Sequence, residues 1–221
     1  KYPGYLSNKF ILLSDELSMR QSLLSILLLL GFLTFNLDVQ AEQVNEKHRT
    51  DPLLVYLQPL GKFSGEDLVV FARGIEASFH IKVYIMPSTT LPTRANARGR
   101  HRATELLDHL GSQCPQGSKI IGITTADISI VKGVHNDWGV YGLGDLSGPA
   151  AIVSSFRIKT DTQLRRLHLL TVIRHELGHT LGLRHCANHN CLMAAGDELS
   201  SPPPDFCPRC AATIAPFLKS R

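Results

Sequence analysis

The sequence predicts an α+β domain: a mixed, twisted sheet, one long helix that carries the chemistry, and a small C-terminal subdomain from about residue 183. Three observations predict it. Short apolar runs of strand character are interleaved with helical patterns from residue 53 to residue 156. A single long helical stretch, Thr162 to Leu181, follows them instead of a regular strand–helix alternation. Only 28 residues remain after Met193, too few for an independent core.

In chain order, the first residues stand apart. Met19-Arg20, an apolar run of 13 positions from Leu23 to Phe35, and small residues ending at Ala41 form a signal-peptide pattern over residues 19–41. The run is shorter than the roughly 20 residues a membrane span needs. Residues 1–18 read as upstream sequence outside the native protein, and 42–52 as a polar linker. The domain proper is expected over 53–221.

Leu53 to Leu57 is a compact strand closed by Pro59. Ser64 with Asp67 three residues on predicts a helix start, and Leu68, Phe71, Ala72, Ile75 and Phe79 continue it at helical spacing. Ile81 to Met86 is a second strand. The prolines, glycine and arginines of 87–100 make a loop. Ala103 to Leu110 predicts a short helix stopped by Gly111, and the β-branched run Lys119 to Thr125 a third strand. His135 to Gly148 is rich in glycine and contains the only tryptophan, Trp138. Ala150 to Phe156 is a strand, and the long helix follows.

A chain of 221 residues holds one domain with a real core. Its 43% hydrophobic and 19% charged residues are ordinary globular values. The net charge of +4 is spread out. The densest basic stretch, Arg94 to Arg102, has no aromatic residues between its arginines and reads as a solvated loop, which excludes a nucleic-acid partner.

The chemistry concentrates in the long helix. His175 and His179 are four apart, so they project from one face and can bind one ion together. Glu176 can reach a water on that ion without ligating it. Gly182 permits a positive φ, so the chain can turn and bring His185 back as a third ligand. Three ligands and an open fourth position describe a catalytic zinc site. Glu176 also separates an enzyme from the alternative, a non-catalytic zinc-stabilised peptide-binding module, which needs no base.

Four of the five cysteines come after His185. Cys207 and Cys210 are separated by two residues and Cys186 and Cys191 by four, spacings that suit one tetrahedral ion. An oxidising compartment would favour two disulfides instead. Cys114, before Pro115, reads as a quiet half-buried thiol. Met193 can form a hydrophobic floor beneath the imidazoles.

Assembled, His175-Glu176-x-x-His179-x-x-Gly182-x-x-His185-Cys186, then Cys191-x-Met193, then Cys207-x-x-Cys210, the chain resembles the archaemetzincins, a branch of the metzincin metallopeptidases. The resemblance implies a metzincin-like zinc metallopeptidase domain. In it His175, His179 and His185 hold a catalytic zinc, Glu176 is general base, and Met193 lies in the Met-turn. Cys186, Cys191, Cys207 and Cys210 would hold a second, structural zinc, giving two ions per chain. The substrate is a peptide or protein, bound along an antiparallel edge strand that should be Ala150 to Phe156. With the signal segment removed, a monomeric, secreted or periplasmic protein without stable membrane association is expected.

Overall fold

The computed structural model describes residues 52–195 and 205–218. The expected upstream segment 1–18, signal peptide 19–41 and nearly all of the linker lie outside them. Among the described residues, no helix is long and apolar enough to cross a membrane.

The frame is a five-stranded sheet. β1 (Leu54–Leu60), β2 (Lys82–Ile85), β4 (Lys119–Thr124), β7 (Gly142–Gly144) and β8 (Ala150–Ser154) run in the order β2–β1–β4–β8–β7. All neighbours are parallel except β7, which lies antiparallel on β8. A second sheet, β3–β5–β6, is formed by β3 (His101–Arg102), β5 (Ile128–Lys132) and β6 (His135–Val140). Among the described residues there are four helices: α1 (Gly65–Phe79), α2 (Ala103–Gln113), α3 (Thr162–Thr180) and α4 (Pro208–Leu218).

Alternation along the strands splits the core in two. Val55, Leu57, Ile121, Ile123, Ala151 and Val153 pack with Phe71, Ile75 and Phe79 of α1 and Leu169, Ile173 and Leu177 of α3. Ile120, Ala150 and Ile152 face the other way, onto Leu106 and Leu110 of α2. The first cluster also includes Cys186, Cys191, Met193, Cys210 and Ile214, so the C-terminal segment shares the core of the metal-bearing helix. The helix starts behave as the sequence suggests. Ser64 Oγ accepts from the Asp67 N–H (3.0 Å) and Asp161 Oδ1 from the Leu164 N–H (3.0 Å).

Four expectations need correction. β1 runs through Pro59 to Leu60, because β2 pairs only as far as Leu57. Pro59 therefore needs no N–H on that side, and its carbonyl accepts from the Thr89 N–H (3.0 Å). α2 passes Gly111 and stops before Cys114 and Pro115; a helical glycine costs only about 1 kcal/mol, whereas the residue before proline is pushed out of helical geometry. The β5–β6 hairpin, turned at Gly133 (φ +57°), and α4 were not anticipated. Finally, Ala150–Ser154 is not an edge strand. It is buried between β4 and β7, and the antiparallel edge is Gly142–Gly144.

Candidate metal centre

α3 is a 19-residue helix whose buried side carries Leu169, Val172, Ile173, Glu176, Leu177 and Thr180. His175 and His179 are set on its partly solvated side, one turn apart. The chain leaves the helix at Leu181 and turns at Gly182 (φ +90°), a conformation in which a Cβ would be strained. That turn returns His185 to the other two rings, with centroids 5.4 Å from His175 and 5.0 Å from His179. One ring nitrogen from each of the three lies within 4.8 Å of the others.

Two backbone carbonyls fix the tautomers. His175 Nδ1 lies 2.8 Å from the Leu192 carbonyl, and His179 Nδ1 lies 2.7 Å from the Leu183 carbonyl. A carbonyl only accepts, so each Nδ1 bears the proton and each Nε2 presents a lone pair. Burial holds His175 down to about 4 and lowers His179 as well, so both rings are neutral at pH 7. Their Nε2 atoms nevertheless face each other at 3.1 Å. Two lone pairs at that distance repel, and a shared cation removes the conflict. The donor set fits zinc.

Glu176 is buried beside them, and burial raises its pKa to about 8 against the opposing pull of the Gly144 N–H. The reason β7 can approach so closely is its glycines. A Cβ on Gly142 would lie 2.7 Å from Glu176 Oε1, and one on Gly144 would lie 2.5 Å from the Glu176 carbonyl oxygen and 2.8 Å from His179 Cβ. Sequence reasoning missed both residues. The available signal was a Gly-x-Gly at period two, which leaves one strand face bare.

Met193 is fully buried, and its Sδ occupies the space where a Cβ on Gly178 would come within 2.6 Å. It thus packs under the helix between the two ligand turns. The Cys186 N–H donates to the Met193 carbonyl (2.7 Å), closing the loop that His185 begins.

The four late cysteines also converge, all sulfurs lying within 4.8 Å of one another. Cys186 and Cys207 are 3.8 Å apart, and a tetrahedron with zinc–sulfur bonds of about 2.3 Å has edges of about 3.8 Å. All four thiols are free. The Asn188 backbone N–H, aided by Arg209, pushes Cys186 down to about 6, while burial raises Cys210. Arg209 Nη2 donates to Cys186 Sγ (3.4 Å) and the Cys207 N–H to Cys191 Sγ (3.3 Å), so donors already point at two of the sulfurs. Cys114 is half-buried and remote from this cluster in sequence, and burial raises its pKa, the mark of an inert thiol.

Known proteins resemble this chain in sequence and fold. A sequence model described as peptidase family M54 matches residues 98–215. The archaemetzincin of Archaeoglobus fulgidus is 32% identical over 166 residues, covering 72% of this chain and 98% of the relative. A crystal structure of that archaemetzincin, complexed with malonate, superposes with a TM-score of 0.62 at 31% identity, covering 73% of this chain and all of the other. The archaemetzincin structure from Methanopyrus kandleri gives 0.64 at 25% identity, covering 76% and 96%.

Proposed function

Because the chain belongs to the archaemetzincins, peptidase family M54, and is thereby a zinc metallopeptidase, we propose that it hydrolyses peptide bonds with Glu176 as general base. The ligands of the catalytic zinc are His175, His179 and His185. The observation that carries this reading is the pair of Nε2 lone pairs converging at 3.1 Å beside a buried carboxyl. Zinc held by these three imidazoles would supply Lewis-acid polarisation of the scissile carbonyl and would acidify the attacking water. Glu176 removes the proton from that water as it attacks and delivers it to the leaving amine. Burial raises the Glu176 pKa in the metal-free site, and a dication at the imidazoles would draw it back down, leaving a carboxylate able to take the proton.

The substrate lies along β7, whose one side pairs with β8 while the other pairs with no strand among the described residues. An extended peptide adds there by main-chain hydrogen bonds, directly above Glu176 and His179. Cys186, Cys191, Cys207 and Cys210 hold a second, structural zinc, supported by the tetrahedral sulfur spacing. Export belongs to the same proposal and rests on the signal-peptide pattern of residues 19–41.

Metal counting by mass spectrometry and a peptide-library digest test the proposal. The purified chain should contain two zinc ions and cut peptides, and chelation should stop the cutting. Zinc retained with no cleavage anywhere in the library would sink the catalytic reading in favour of a binding module.

A further inference from the structure

Lys119 opens β4, an interior strand, and the Asp145 carboxylate of the β7–β8 turn attracts its ammonium without contacting it. Among the described residues Nζ forms no ion pair within 4.0 Å and donates instead to two backbone carbonyls, Gly148 and Thr180, each at 2.8 Å. Thr180 is the last residue of α3, whose final carbonyls lack helical partners and carry the negative end of the helix dipole. Gly148 belongs to the β7–β8 turn. The same turn has a second attachment: the Ser147 N–H donates to the His179 carbonyl (3.0 Å), with Ser147 held at φ +62°. The Gly182 N–H donates to that carbonyl too (2.9 Å), so the turn towards His185 starts from the same point. Burial lowers the Lys119 pKa, the cost of a cation drawn into this crevice.

We propose that Lys119 is a positioning residue that straps the β7–β8 turn to the last turn of α3, so that the peptide-receiving edge Gly142–Gly144 and the ligand His179 hold a fixed separation. This rests on the reading that peptides dock along β7. The strap acts where the sheet itself is weakest, since β7 is three residues long and is held by only one neighbour. A hydroxyl would satisfy one carbonyl and a neutral amide would leave the dipole unopposed, whereas the ammonium satisfies both carbonyls and offsets the dipole.

The test compares two hydroxamates on the zinc-loaded full chain. Acetohydroxamate senses the metal alone, and a peptidyl hydroxamate senses the metal together with the edge strand. Lys119→Met should weaken the peptidyl compound about tenfold or more and acetohydroxamate by less than about twofold. Lys119→Arg, which keeps the charge and multiple donors, should recover most of the loss. Equal weakening of both probes, or none, would overturn the strap. A wild-type chain that binds the two probes equally would instead refute docking along β7, and the inference with it. Amide exchange in the unmutated protein supplies an independent arm in case Lys119→Met does not fold. The Ser147 amide should exchange as slowly as those at the end of α3, and exchange at open-loop rates would likewise overturn the proposal.

Discussion

The histidine cluster and the cysteine cluster are neighbours built on opposite principles. Two of the three imidazoles stand on a helix that the core would hold in place without any metal, and carbonyls already aim their nitrogens. The cysteines come from turns and from the start of an 11-residue helix, in a segment whose apolar side chains, Met193, Phe206 and Ile214 among them, pack onto the core of α3 instead of forming one of their own. In the first, the fold positions the metal. In the second, on the proposed reading, the metal positions the fold. The difference teaches that donor convergence alone does not report what an ion is for; the rigidity of the elements behind the donors does.

The strongest way to break this comparison is at the carboxyl. Glu176→Ala should keep the zinc at both clusters and reduce turnover on the order of 10²–10⁴-fold, because the base goes and the ligands stay. Peptide cleavage near the wild-type rate with zinc retained would remove the functional distinction between the clusters. Next in size is Cys207→Ser, which should lower the melting temperature and drop one zinc per chain. Through Leu192 it should also weaken the histidine-held zinc on the order of tenfold, read by chelator competition. A thiol count of zero after denaturation and chelation without reductant would show disulfides and defeat the second site.

A smaller effect is expected where β7 meets α3. Gly144→Ala places a methyl 2.5 Å from the Glu176 carbonyl oxygen and should destabilise by about 1–3 kcal/mol while reducing activity. Gly65→Ala, where a Cβ meets nothing within 4 Å, serves as the neutral control. Urea titrations of the two variants with equal midpoints would refute the close approach.

The smallest effect concerns pH in the chelated protein. Glu176 rises from 4.5 to about 8 on folding, so the stability it contributes is full below 4.5 and is lost as pH climbs through 8. His175 falls from 6.5 to about 4, so its contribution is full above 6.5 and is lost as pH falls through 4. Cys186, pushed down to about 6, adds stability as pH rises and opposes Glu176. The informative quantity is therefore the difference between wild type and Glu176→Gln. The chelated wild type should lose melting temperature relative to the variant between pH 6.5 and 8, and parallel curves would show that the carboxyl is not buried as described.

Much of the site was legible because spacing encodes it. The intervals among His175, Glu176, His179, Gly182 and His185 hold for any helix that ends in a glycine turn, and the two cysteine pairs carry their own geometry. Ser64 and Asp161 likewise cap helices through local contacts, and the first of these was read correctly. The antiparallel edge of the sheet was not legible. Ala150–Ser154 has strong strand character because it is buried on both faces, which marks an interior parallel strand. Gly142-Leu143-Gly144 has almost no strand propensity, since its glycines answer to a helix distant in sequence. Lys119 was invisible for the same reason. A lysine at a strand start reads as solvated until tertiary structure brings two carbonyls to it.

Cys191, Leu192 and Met193 are consecutive, and each serves a different master: a sulfur in the thiolate cluster, a carbonyl on His175, and a thioether beneath Gly178. On the proposed reading, two ions would have surroundings that share this tripeptide, and any coupling between them is reciprocal. Whatever factor an ion at the thiolates contributes to affinity at the imidazoles, an ion at the imidazoles returns to the thiolates. If the thiolate ion strengthens binding at the imidazoles, as the Cys207→Ser prediction expects, half-loaded chains are disfavoured, and limiting zinc would yield fully charged and empty molecules in preference to partly charged ones.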